Sequence, residues 1–98
     1  MNSKICDAIS NKNVIEFYHS GGIRIVEPHC YGIHKDTGNE VLCAYQISGY
    51  SESGNLPGWR LFVVSDMSAL KVTDKTFLSP RPKYNPNDSR MSRIFCNL

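Results

Sequence analysis

The 98-residue sequence contains no apolar run near the roughly 20 residues of a membrane span. In its first stretch, MNSKICDAISNK, polar residues lie too close together for a signal-peptide core, so a cytoplasmic setting is expected. Neither sign of charge dominates. Eleven Lys and Arg against nine Asp and Glu leave +2, too little to argue for an acidic partner by itself. The four cysteines, Cys6, Cys30, Cys43 and Cys96, lack the short spacings of a zinc knuckle or a redox pair, and are expected as reduced, partly buried thiols. In HCYGIH, strand alternation sets Cys30 and His34 on the opposite face from His29, so neither a metal site nor a cofactor is predicted. There is no internal repeat and no boundary, hence one domain over 1–98.

What is present is β-forming. SKICDAISN predicts a short helix over 3–11, with Ser3 as N-cap and Ile5, Ala8 and Ile9 on one face. β-Branched and aromatic residues then predict strands at 14–20, 23–35, 40–49 and 59–66. Gly21-Gly22 and DTGN (36–39) mark turns, and YSESGNLPG (50–58) a polar loop. MSALKV is read as a helical turn, SPRPKYNPND as an extended crossover, and RIFCNL as a fifth strand.

A two-residue turn at Gly21-Gly22 sets His19 opposite Arg24, Phe17 opposite Val26 and Ile15 opposite Pro28. A turn at DTGN sets Lys35 opposite Glu40, Cys30 opposite Tyr45 and Pro28 opposite Ile47. The two turns agree on one core face: Ile15, Phe17, Val26, Cys30, Val41, Cys43, Tyr45 and Ile47. A bulge at Gly32 would shift part of it. A long second strand, bent near Pro28 and Gly32, implies a mainly β domain with a short N-terminal helix, built as a small five-stranded antiparallel barrel.

On this register His19 and Arg24 lie together at the end of the core face, while Tyr18 points to the other face, where Glu16 would oppose Glu27. Arg keeps its charge in a protein, so Arg24 either bridges to a carboxylate or forms half of an anion-binding rim. Both readings stay open. In WRLF, alternation puts Arg60 and Phe62 on one face, the Arg–aromatic pattern of sheets that hold phosphates and stack bases. From Lys75 to Arg93, five basic residues face Asp88 alone, a stretch that is either simply solvated or meets phosphate.

In order, the aromatic-ending first strand (Phe17, Tyr18), Arg24-x-Val26-x-Pro28, Leu42-x-Ala44-Tyr45 and Arg60-x-Phe62 with the apolar turn at Met67 and Leu70 resemble the WYL domain. That is a small SH3-like or Sm-like barrel found mostly in bacterial transcription regulators. The match covers about residues 5–72. The naming tripeptide would fall at Glu40-Val41-Leu42, where only Leu42 fits, and the residues before Val14 are too few for the usual helix-turn-helix. The resemblance implies a regulatory module that senses a ligand or binds nucleic acid, with Tyr18, Arg24, Tyr45, Arg60 and Phe62 at matching positions.

His19, His29 and His34 lack a carboxylate or thiol partner at one rim, so no catalysis is expected. The leading expectation is a binding module for single-stranded nucleic acid or a nucleotide, using Tyr18, His19, Arg24, Tyr45, Arg60 and Phe62. Changing Arg24 and Arg60 to Ala should then abolish binding with little loss of melting temperature. The alternative is a module that pairs with a second copy or a larger regulator through Ile5, Ile9, Phe95 and Leu98.

Overall fold

A computed structural model describes all 98 residues. The chain is mainly β. It runs α1 (Ser3–Asn11), β1 (Asn13–His19), β2 (Gly22–His34), β3 (Glu40–Gly49), β4 (Gly58–Val63), a 3-10 turn (Val64–Asp66), β5 (Ser68–Thr76) and β6 (Met91–Asn97). The helix has its expected bounds, but Asn2 rather than Ser3 caps it: the Asn2 side-chain oxygen accepts from the N–H groups of Lys4 and Ile5. No helix is long and apolar enough to cross a membrane.

Six strands form one antiparallel sheet in the order β4-β3-β2-β1-β5, with β6 also pairing β2. The thirteen-residue β2 makes this possible. Its first half carries β1 and its second half carries β6, while β3 runs along nearly its whole length. The sixth strand is the segment expected as a helical turn: Ser68–Thr76 is extended and pairs with β1. The outermost strands β4 and β5 do not pair, so the sheet curls without closing into a five-stranded barrel. Its curvature is still strong. Phe17 of β1 meets Phe62 of β4 at 5.0 Å between ring centroids, edge to face, although two strands separate them in the sheet.

The first hairpin turns one residue earlier than expected. Ser20 and Gly21 both have positive φ (40° and 99°), the signature of a two-residue turn that matches the strand twist. His19 therefore faces Gly22, Phe17 faces Arg24 and Ile15 faces Val26. Each pair slides by two residues, which keeps every side chain on its expected face. The second hairpin slides too, with Ile33 rather than Lys35 opposite Glu40, and in the β3 pairing it carries two irregularities, between Ile25 and Val26 and between Pro28 and Cys30, rather than one at Gly32. The first shift exchanges the faces of β3 from Gln46 back to Val41, and the second exchanges those of β2 beyond Pro28. Tyr31, Leu42 and Ala44 join Ile15, Phe17, Val26, Phe62 and the helix residues Ile5, Ala8 and Ile9 in the main core. Cys30, Val41 and Cys43 instead join Met91 in a second cluster, beneath Trp59 and Tyr84. Tyr45 and Ile47, expected in the core, are only half-buried.

The cysteines split into two kinds. Cys6 and Cys96 form a disulfide joining α1 to β6, contrary to the expectation of four reduced thiols, and Cys30 and Cys43 are free and buried. Residues 77–90 cross the second cluster as bends and turns, as the prolines require.

Candidate functional site

The main-core face ends at an open cleft of about 290 Å³, lined by His19, Ser20, Arg24, Ser51, Glu52, Ser53, Arg60, Leu61 and Phe62. Four of the six residues expected at a site are here: His19 from β1, Arg24 from β2, and Arg60 and Phe62 from β4. Tyr18 and Tyr45 are elsewhere. Tyr18 is 45% exposed on the outer face of the first hairpin, opposite Ile23. Tyr45 packs on Trp59 and lies under the Arg81 guanidinium at 4.8 Å, on the face away from the cleft.

Arg24 is 6% exposed. Its Nε donates to the His19 carbonyl and one Nη2 hydrogen to the Ser20 carbonyl, both at 3.1 Å. These bonds clamp the guanidinium to the hairpin that carries it. Tyr50 and Phe62 flank it at 5.1 and 5.8 Å. Arg60 is half-buried; it donates to the carbonyls of Trp59 and Asn55 and to the Ser51 hydroxyl. Neither guanidinium forms an ion pair; the chain's three ion pairs are Met1 with Glu40, Arg81 with Glu27, and Arg90 with Asp88. The expected opposition of Glu16 and Glu27 also disappears. Glu16 faces Ile25 and Lys71, and Glu27 is held by Arg81. The basic C-terminal stretch likewise spends Arg81 and Arg90 on internal carboxylates.

His19 lines the cleft with neither ring nitrogen hydrogen-bonded or open to water. Burial, and then the Arg24 charge, push its pKa below 6.5, against weaker upward pulls from Asp66 and Glu52. The imidazole is therefore neutral near pH 7. Phe62 is 3% exposed, packed edge-on against Phe17 and His19, and so offers no free ring face for a base. The exposed ring beside Arg24 is Tyr50, which sequence reasoning left in a loop.

The loop supplies what the strands lack. Gln46 on β3 is fully buried, and its amide donates to the carbonyls of Ser48 and Tyr50. Those bonds turn the chain back so that Ser51, Glu52 and Ser53 form the far wall of the cleft. Gly22 is required for this return: a Cβ there would lie 2.4 Å from the Tyr50 Cβ. The run of polar residues in YSESGN was a visible signal, but its contact with the first hairpin was not.

The arrangement suits an anion. Two fixed positive charges, hydroxyls and an orphaned imidazole surround the cleft, with Glu52 as the one carboxylate in its wall. The chain matches no family model, no curated protein and no solved structure.

Proposed function

We propose that this chain is a non-catalytic, WYL-like binding module, related in design to SH3-like and Sm-like barrels, whose cleft takes an anionic ligand of the nucleic-acid class: single-stranded nucleic acid or a nucleotide. One observation carries the reading. Arg24 and Arg60 line the same open cleft, and no carboxylate of the chain pairs with either. An Arg left without an ion pair keeps N–H donors for phosphate oxygens. Recognition rests on phosphate more than on stacking, because Phe62 is enclosed.

The test is a binding screen against single-stranded DNA, RNA and nucleotides at low and moderate salt, with Arg60→Ala as control. Binding that weakens steeply with salt and is lost in the variant supports the reading. No binding at low salt, or binding indifferent to Arg60→Ala, overturns it.

The alternative, pairing with a second copy or a larger regulator, loses its expected patch. Ile5 and Ile9 are inside the core, and Phe95 and Leu98 pack against it. The cytoplasmic setting remains part of the proposal. The Cys6–Cys96 bridge weighs against it, since disulfides persist mainly in oxidising compartments.

A further inference from the structure

The imidazole of His19 is the unexplained group in the cleft. Its ring lies against Phe17 and Phe62, beside the Arg24 guanidinium that bonds its own carbonyl. Both ring nitrogens are enclosed without a partner. A buried polar atom left this way costs free energy, and native structures keep such atoms mainly where something else satisfies them. The charged groups around it are Arg24 on β2, Asp66 in the 3-10 turn and Glu52 in the loop, with Arg60 on the same cleft wall. With the cleft open, Arg24 and burial keep the ring neutral. An anion entering beside Arg24 reverses that balance. It cancels the repulsion and, as the ring rotates to bring one of its enclosed nitrogens to the cleft surface, offers an acceptor to that N–H.

The free donors fit a particular anion. Arg24 uses two of the five N–H groups of a guanidinium, leaving three, and Arg60 uses three, leaving two. An internal phosphodiester has one negative charge. A phosphoryl terminus has close to two at neutral pH and three acceptor oxygens. We propose that the cleft takes the terminal phosphoryl group of a phosphomonoester, bound as the dianion together with one proton on His19. This rests on the anion-binding reading above and deepens it. The second negative charge then meets a third cation that exists only in the complex. The cleft, about 290 Å³, is the size for such a head group with a little of what it is attached to, not for a folded oligonucleotide. The shared chemistry has two sources, a free nucleoside monophosphate or the 5′-phosphorylated end of a strand.

Calorimetry on the full chain tests this at about pH 7, where the monoester is mostly dianionic. The ligands are one short oligonucleotide with a 5′-phosphate, the same strand with a 5′-hydroxyl, and a nucleoside monophosphate. Each is titrated in buffers of different ionisation enthalpy. The 5′-phosphate is expected to tighten binding by about ten-fold, the worth of one partly buried charge pair. The complex should take up a substantial fraction of one proton. Uptake is diagnostic, because a phosphate moved next to cations would itself release protons. The His19→Gln variant should lose both uptake and discrimination. The wild-type imidazole signal in NMR provides a readout that needs no variant: its titration should move to higher pH in the complex. Equal affinity for strand and monophosphate assigns the free nucleotide, and tighter strand binding assigns the strand end; both support the phosphoryl terminus. Equal binding of both oligonucleotides, lost in Arg60→Ala but without proton uptake, overturns this inference and leaves the anion-binding reading standing. No binding of any of the three at low salt overturns both.

Discussion

His29 Nε2 accepts the main-chain N–H of Arg81 at 3.1 Å, while its Nδ1 donates to the Glu27 carbonyl at 2.8 Å. The ring is fully buried among Trp59, Phe77 and Tyr84, so one neutral tautomer ties the crossover to β2. Burial pushes its pKa below 6.5, with Arg81 adding to this and the Glu27 carbonyl and charge opposing it. The unfolded chain, with an ordinary imidazole, therefore binds more protons just below pH 6.5. Stability from this group is full above that pH and is lost as pH falls toward the folded pKa. Melting temperature should drop through this window. His29→Gln should flatten part of the drop, leaving the share of His19, whose pKa moves in the same direction. A slope unchanged by His29→Gln would remove His29 from this role.

Local chemistry was legible where neighbours in sequence decide it. The helix bounds, the long bent β2, the shared face of His19 and Arg24 and the shared face of Arg60 and Phe62 follow from periodicity, and a first-hairpin slip of two residues leaves faces intact. Properties set by distant partners were not legible. The disulfide joins residues 90 positions apart, and Glu27 meets Arg81 across 54. SALKV was misread because a short apolar run has no period long enough to separate helix from strand; pairing with β1 decides it. For the site, the charges and the alternation within each strand were readable, but the meeting of β4 with the first hairpin at one cleft, the burial of Phe62 and the return of the 50–58 loop were not.

The Glu27–Arg81 pair gives a second prediction. Glu27 is 4% exposed and takes two guanidinium bonds, of 2.6 and 2.8 Å, whereas the Arg81 side chain is 41% exposed. Removing Arg81 strands a buried carboxylate. Arg81→Ala should cost about 2 kcal/mol, below the full loss for a buried pair because Arg81 is partly solvated. Adding Glu27→Gln to that variant should recover part of the loss. Denaturant titration of both singles and the double closes the cycle, and strictly additive losses would contradict the coupling.

Arg24 and Arg60 should separate, contrary to the expectation that both are dispensable for stability. Arg24 is enclosed and fastens its hairpin through two carbonyls, so Arg24→Ala should cost about 1–3 kcal/mol. Arg60 is half-buried and bonds mainly loop groups, so Arg60→Ala should cost no more than about 1 kcal/mol. Thermal melts of the two variants decide this, and equal losses would show that enclosure does not set the difference. Arg60→Ala is therefore the cleaner probe of binding.

Gly32 makes the sharpest packing prediction. A Cβ on it would lie 2.1 Å from the Arg93 carbonyl oxygen and 3.0 Å from both the Ile94 Cα and the Met91 sulfur. The nearest obstacle is backbone, which cannot swing aside as a side-chain tip can. Gly32→Ala must therefore push β6 away from β2, at the point where Gly32 pairs with Ile94. The cost should be about 1–3 kcal/mol, the range for overpacking a fitted contact. Hydrogen exchange should locate the damage: amide protection in β6 should fall more than in the β1–β2 hairpin. A uniform loss of protection along the chain would mean that β6 does not depend on this close approach.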